Sequence, residues 1–502
     1  MSESDKFYIT TTLPYVNSDP HLGFALEMVQ ADVIARYHRD ILKQDIFFNT
    51  GTDEHGQKVF AKAKDSGRDI QEYVDEYADK FRQLMPALGI SPDIHFVRTT
   101  DKHHVAAAQE FWRRCNKAGD IYKKIYKIKY CVGCELEKTE SDLDENGRCL
   151  IHPHLEIELI DEENYFFRFS KYQQPLLDYY EAHPDFVVPD FRFNEIKQFV
   201  KNGLQDFSIS RLKSKMSWGV PVPDDDQHVM YVWFDALINY VSTLGWPSSA
   251  KATEGKPALF DEYWGVIGHE NAIQIAGKDN LRQQSAMWQA MLMSAGLPNS
   301  KQIIIHGFIN SGGQKMSKSL GNVADPYAII DLLKSKGLNQ EQATDALRYY
   351  LLREISTFED GDYTWEHFLE TYNAGLANGI GNLTSRILKM ACNAECSQPI
   401  YGLYKTADES ANYIETFELQ KAADAIWQQI KSCDEFIQKN EPFKVIKTDK
   451  EKAIKDIQHL LSELRQIAID LQPLLPHSSE QILKALKDPK LENIPRLFPR
   501  IE

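Results

Sequence analysis

The stretch KFYITTTLPYVN, residues 6–17, is rich in β-branched and aromatic side chains and runs into Ser-Asp-Pro. Apolar residues then recur at Leu22, Ala25, Leu26, Val29, Val33, Tyr37 and Ile41, the stripe of a helix face, before a second β-rich stretch, DIFFNTGTDEHG, begins at Asp45. Two strands separated by a helix of that length do not close as a hairpin. They join side by side through a crossover, and the sheet they start is parallel. At the helix start, Asp19 is expected to cap the first free backbone N–H groups and Pro20 to take the first helical position.

This α/β texture is interrupted and then resumes. Residues 119–215 carry KKIYKIKYCVGCE, a cysteine cluster and aromatic segments such as NYFFRF; after VPVPDDDQ come HVMYVWFDALINYV, NAIQIAGKDN and KQIIIHGFIN, which read as buried strands or strand–helix junctions. The block is therefore an insertion into one α/β domain. From residue 366 only helical patterns remain, with one stripe at Leu419, Ala422, Ile426, Ile430, Cys433 and Ile437 and another at Ile454, Ile457, Leu460, Leu461, Leu464, Ile467 and Leu471. A chain of 502 residues exceeds one core. The expected division is 1–118 and 216–325 for the two halves of the α/β domain, 119–215 for the insertion, 326–365 for a linker region and 366–502 for the helical region.

Composition narrows the setting. With 43% hydrophobic and 26% charged residues and no apolar run of spanning length, a membrane is not an expected partner. The start, MSESDKFYIT, has no basic region leading into an apolar stretch, and seven cysteines are too few for a disulfide framework; the expected compartment is the cytoplasm. A net charge of -16 speaks against indiscriminate nucleic-acid binding, although the local field at one face decides such binding.

Three of the cysteines belong to a metal-ligand pattern: Cys131 and Cys134 as CxxC, fourteen intervening residues, then Cys149 and His152 as CxxH. Three thiolates and one imidazole suit tetrahedral zinc, one ion per chain, and four protein ligands would close the site and make it structural. His154 is an alternative fourth ligand by spacing.

Two further stretches bear on phosphate chemistry. A helix N-terminus offers free N–H groups and a positive dipole to an anion; in SDPHLGFALE, His21 would add a donor and Gly23 would let a ligand approach the backbone. Taken alone, a histidine at such a place is ordinarily a solvated or capping residue. Far downstream, NSGGQKMSKSLGNV (310–323) sets Lys315 and Lys318 three apart behind two glycines, after a buried strand.

PHLGF resembles the HIGH motif, and KMSKS matches the second motif, of class I aminoacyl-tRNA synthetases. LPYVNSDPHLG, GTDEHGQK, YVWFDALINYV, GKD and YCVGCE are similar in particular to the methionyl-tRNA synthetase family, and the resemblance extends over nearly the whole chain. It implies a Rossmann-like parallel-sheet catalytic domain with an inserted zinc-knuckle domain, a stem-contact region over 326–365 and an all-α anticodon-binding domain. The implied reaction joins methionine to the α-phosphate of ATP, with magnesium accompanying the nucleotide, and passes the aminoacyl group to the terminal adenosine of tRNA(Met). The attacking carboxylate is already an anion, so such a site needs positioning and cationic charge rather than a general base.

Carried over by motif, the catalytic residues are His21, Gly23, Lys315 and Lys318, and the ATP contacts add Gly277, Asp279 and Met316. The methionine pocket falls at Leu13, Tyr15, Asp53, Trp233, Ala236 and Tyr240, with Arg211 of SISR paired to Asp53. An apolar, aromatic pocket suits a polarizable thioether and one carboxylate suits an α-ammonium. The anticodon readers fall at Asn382 and Arg386 of GNLTSR, one helical turn apart, and at Phe443 of NEPFK. A monomer is expected, because IPRLFPRIE leaves no room for an appended domain.

Four positions depart from the family pattern. Phe24 replaces the second histidine of HIGH, Asn280 and Gln284 stand where an apolar residue and a histidine are usual, and Phe443 replaces a tryptophan. The rival readings are weaker. Valyl, isoleucyl and leucyl enzymes carry a larger insertion, and cysteinyl enzymes use their zinc on substrate. A non-catalytic tRNA-binding relative would not need KMSKS, and a nucleotide-binding metabolic enzyme leaves GNLTSR unexplained.

Overall fold

The computed structural model describes residues 6–134, 136–138, 142–247, 259–315, 324–396, 408–488 and 494–502. At its centre lies a six-stranded, all-parallel sheet. Across it the strands run His95–Arg98, Asp45–Thr52, Lys6–Thr11, Ala272–Gly277, Gln302–His306 and Val187–Val188. Chain order turns back between Lys6–Thr11 and Ala272–Gly277. In open parallel sheets such a switch point leaves a crevice beyond the carboxyl ends of the strands, where ligands bind.

The crossover from Lys6–Thr11 contains the helix Leu22–Arg36. Every residue from Phe24 to Ala35 is buried, including Glu27, Gln30 and Asp32, because the helix is covered by the sheet on one side and by C-terminal helices on the other. The expected cap is corrected. Asp19 is exposed and pairs with Lys80 at 2.9 Å, while His21 is the N-cap and Leu22 the first helical residue.

The middle block begins with a long antiparallel ribbon, Ile121–Cys131 against Glu158–Phe167, extended by Leu136–Glu137 and Phe207–Ser208. It does not stay apart from the main sheet, since Val187–Val188 pairs with Gln302–His306 well before residue 215. Of HVMYVWFDALINYV, only His228–Met230 is a strand, pairing antiparallel with Ser210–Leu212 away from the main sheet. The rest forms the short helices Val232–Ala236 and Asn239–Ser242. NAIQIAGKDN and KQIIIHGFIN both supply parallel strands, as expected.

The C-terminal region is helical over Asn382–Asn393, Leu419–Asn440, Lys450–Leu471 and Pro476–Lys487. Both expected stripes face inward, with only Ile454 partly buried, and they share one apolar cluster with the helix Leu22–Arg36. A buried ion pair, Arg348 to Asp32 at 2.8 Å, crosses this junction. Among the described residues no helix is long and apolar enough to cross a membrane.

Candidate active site

The sheet's switch point is walled by two turns. On one side the chain leaves Lys6–Thr11 and enters the helix at His21. The exposed His21 ring turns back on its own helix, Nδ1 accepting the Gly23 N–H at 3.1 Å. A Cβ at position 23 would stand 3.0 Å from that ring, so glycine permits the cap. The next free N–H, of Leu22, donates to the Ala324 carbonyl at 3.0 Å.

Ala324 directly follows the segment 316–323, which holds Met316 and Lys318 and lies outside the described residues. At the other end of that segment, Gln314–Lys315 pairs with Ile309–Ser311, Asn310 opposite Lys315. The residue that follows this segment is thus tied by a backbone hydrogen bond to the helix start that carries His21.

On the opposite wall, Gly277 ends its strand. A Cβ there would meet Asp279 Oδ1 at 2.9 Å and stand in van der Waals contact with the His306 ring at 3.6 Å, so both side chains lie close to the bare Cα. Asp279 is exposed and accepts from the Asn280 amide at 3.4 Å, while Lys278 is held by Asp360 at 2.7 Å. Phe24 does not face this crevice; its ring is buried edge-on against Phe81, with centroids 5.2 Å apart.

Deeper in, the loop after the first strand meets the end of the second. Tyr15 bridges Asp53, whose N–H donates to the Pro14 carbonyl at 3.0 Å. Leu13 and Tyr15 are half-buried and Asp53 is buried. The Tyr15 ring stands edge-on to Trp233 with centroids 6.2 Å apart, so the expected aromatic pair is brought together. Trp233 presents an indole N–H with no hydrogen-bond partner among the described residues. Ala236 and Tyr240 are buried, and the Tyr240 hydroxyl accepts from Gln284 Nε2 at 2.7 Å. Burial pushes the Tyr240 phenol well above its ordinary range, and the charges of Glu27 and Asp53 add to this. Arg211 is corrected. It donates to the Ser208 hydroxyl and the Ser210 carbonyl at 2.9 and 2.7 Å and lies over the Tyr231 ring, and Asp53 is not among its partners.

Several residues of this site were not anticipated. Asp235, fully buried, accepts from His55 Nδ1 at 2.7 Å and from His104 Nε2 at 2.9 Å, which ties the helix carrying Trp233 and Ala236 to the stretch just after Asp53. Burial acts to raise its carboxyl, but His55 and His104 outweigh it. Glu27 and His306 form another buried pair at 2.9 Å. A signal existed in each case: a charged residue inside an apolar stripe, or a histidine closing a buried strand, needs a partner.

The metal-ligand pattern closes in space. Ligand atoms of Cys131, Cys134, Cys149 and His152 all lie within 4.8 Å of one another, with Cys134 Sγ 3.4 Å from Cys149 Sγ and 3.2 Å from His152 Nδ1. Zinc–sulfur bonds of ~2.3 Å set tetrahedral ligands ~3.7 Å apart, so the residues fit that ion. His152, not His154, belongs to the cluster. A Cβ on Gly133 would lie 2.4 Å from the His152 ring, which explains the glycine between the two cysteines.

Far from the crevice, Asn382 is exposed and Arg386, on the same helix, pairs with Asp434 at 2.5 Å. Phe443 is 46% exposed in the short helix Pro442–Val445, which follows the helix Leu419–Asn440 that carries Asp434.

A parallel sheet with a His-Leu-Gly turn at its switch point, in a chain that also carries Lys-Met-Ser-Lys-Ser, has the features of a class I aminoacyl-tRNA synthetase. The family of tRNA synthetases class I (M) matches residues 7–149 and 137–388, and the anticodon binding domain of methionyl tRNA ligase matches residues 393–496. The chain belongs to the methionyl-tRNA synthetase family. It is 39% identical to a methionine--tRNA ligase of Thermotoga maritima over 495 residues, covering 95% of this chain and 75% of that one. It is 38% identical to a chloroplastic/mitochondrial methionine--tRNA ligase of Arabidopsis thaliana, covering 97% and 78%. Its fold is similar to Mycobacterium tuberculosis methionyl-tRNA synthetase in complex with methionyl-adenylate, with TM-score 0.85, 35% identity and coverage of 96% and 93%. Against the apo form of that enzyme the TM-score is 0.78 at 31% identity, covering 100% and 99%.

Proposed function

We infer that the chain is a methionine--tRNA ligase that activates methionine with ATP to methionyl-adenylate and transfers it to the terminal adenosine of tRNA(Met). The observation that supports this reading is the Leu22–Ala324 hydrogen bond, because it ties the residue just after the segment 316–323 to the His21 helix start. His21, with the helix N-terminus and Gly23, would line the phosphates, and Lys315 and Lys318 would carry the cationic charge that develops against pyrophosphate as it leaves. Gly277, Asp279 and Met316 would complete the nucleotide contacts. Asp53 is the carboxylate for the α-ammonium. Leu13, Tyr15, Trp233, Ala236 and Tyr240 enclose the thioether side chain, the Trp233 N–H being a donor that a ligand can satisfy. Neither proton transfer nor a covalent enzyme intermediate is required. Positioning and charge do the chemistry.

Zinc would sit on Cys131, Cys134, Cys149 and His152, where it cross-links two chain segments and supplies stability rather than catalysis. Magnesium would arrive with ATP. Asn382, Arg386 and Phe443 would read the anticodon, the phenyl ring by stacking. We place the enzyme in the cytoplasm as a monomer. The test is ATP–pyrophosphate exchange across the standard amino acids. Exchange is expected with methionine alone, and Lys318→Ala is expected to lower its rate by about a hundredfold or more with methionine affinity little changed. Exchange at the normal rate in that variant would overturn the assignment.

A further inference from the structure

His306 closes the strand Gln302–His306, and Glu27 lies on the helix Leu22–Arg36; both are buried. The His306 ring has an acceptor at each nitrogen: Glu27 Oε2 is 2.9 Å from Nε2 and the Gly307 carbonyl is 2.7 Å from Nδ1. With Glu27 ionised, the carboxylate and the carbonyl only accept, so both ring nitrogens donate to them, and an imidazole that donates twice is the imidazolium. Glu27 cannot turn away from it, because its other oxygen takes the Thr12 N–H and hydroxyl, each at 2.6 Å.

The pair spans the two walls of the crevice. Glu27 belongs to the helix whose first turn holds His21 and Gly23, while the His306 ring lies under the bare Cα of Gly277. The charged groups that face the ring are Glu27 from the helix and Asp279 from the turn after Ala272–Gly277. Lys278, the cation on that turn, is engaged by Asp360.

We propose that His306 is a positioning residue whose imidazolium, clamped between Glu27 and Gly307, holds the helix start against the Gly277–Asp279 turn and so fixes the width of the ATP site. This rests on the reading that those walls bind ATP. Burial acts to lower the His306 pKa; the Glu27 hydrogen bond and charge, the Gly307 carbonyl and Asp279 outweigh it and raise the value. ATP affinity therefore holds while the ring is doubly protonated and weakens as pH rises through the folded pKa, where one of the two bonds must be given up.

Glu27→Gln is the discriminating variant. Its amide can donate to Nε2 of a neutral ring, so it keeps the geometry and removes the need for the charge. Equilibrium ATP binding by the full chain from about pH 6 to pH 9 is expected to weaken about tenfold in the parent and to follow only ATP's own titration in Glu27→Gln. His306→Asn should raise KM for ATP about tenfold while KM for methionine stays within about twofold, a split that a purely structural loss would not give. Nitrogen-15 spectra of histidine-labelled parent protein, with Glu27→Gln assigning the signal, should show His306 protonated at both nitrogens at neutral pH. Identical pH profiles for parent and Glu27→Gln, or a neutral His306 ring at that pH, would each overturn the proposal. A chain that fails to exchange pyrophosphate with methionine would instead overturn the functional reading, and the nitrogen spectra would still decide the protonation.

Discussion

Phe24 occupies a place where the family usually has a donor, and its ring is spent on Phe81, edge-on at 5.2 Å in the core. Its place in the structure is explained by packing. Phe24→His would lose apolar contact and bury an imidazole without a ready partner. The expected cost is about 1–3 kcal/mol of stability, read as a lowered Tm, with KM for ATP within about twofold of the parent. His21 shows the reverse. The two readings open to it in sequence, helix cap and phosphate ligand, are compatible, because the cap uses Nδ1 and the ring remains exposed. Arg211 shows where motif transfer fails, since a guanidinium goes to whichever acceptors its strand brings near, here Ser208 and Ser210.

At the scale of elements, the metal knuckle was legible because ligand spacing is a local property, and only the choice between His152 and His154 needed coordinates. Gly133 makes room for His152, because the His152 ring occupies the space of a Cβ there. Gly133→Ala should lower zinc affinity about tenfold or more, measured by competition with a chelator, and normal affinity would count against this geometry. The helix Leu22–Arg36 was only half legible. Its stripe marks one buried side but not the second cover, so it gives no sign of Glu27 and Asp32, both buried in ion pairs. Periodicity assumes one buried face, and a helix between two layers has two. The edge strand Val187–Val188 was missed for a related reason: a two-residue strand carries no period at all.

For the whole molecule, the critical contact is Arg348. Its guanidinium is fully buried and reaches Asp32 at 2.8 Å, the Leu474 carbonyl at 2.8 Å, the Pro473 carbonyl at 3.0 Å and the Leu88 carbonyl at 3.2 Å. Removing one partner of such a pair leaves the other charge buried, so Arg348→Met should cost about 3–5 kcal/mol by denaturant titration. Burial acts to raise the Asp32 carboxyl, but Arg348, then Arg36 and Ser91, outweigh it and hold it low. Its contribution to stability is therefore full above the ordinary carboxylate value of 3.8 and is lost as pH falls through the lower folded value. Acid titration of Asp32→Asn against the parent should show a shallower loss in that range.

The same junction bears on how such a chain could be re-engineered. One continuous apolar cluster runs from Leu22 and Val29 through Leu347 and Leu351 to Leu464 and Leu471. The C-terminal helices thus complete the interior on which the helix carrying His21 rests, and they are not an attachable cassette. Calorimetry should show a single unfolding transition for catalytic and helical parts together. A graft of foreign specificity onto this scaffold would have to import the seam along with the recognition surface.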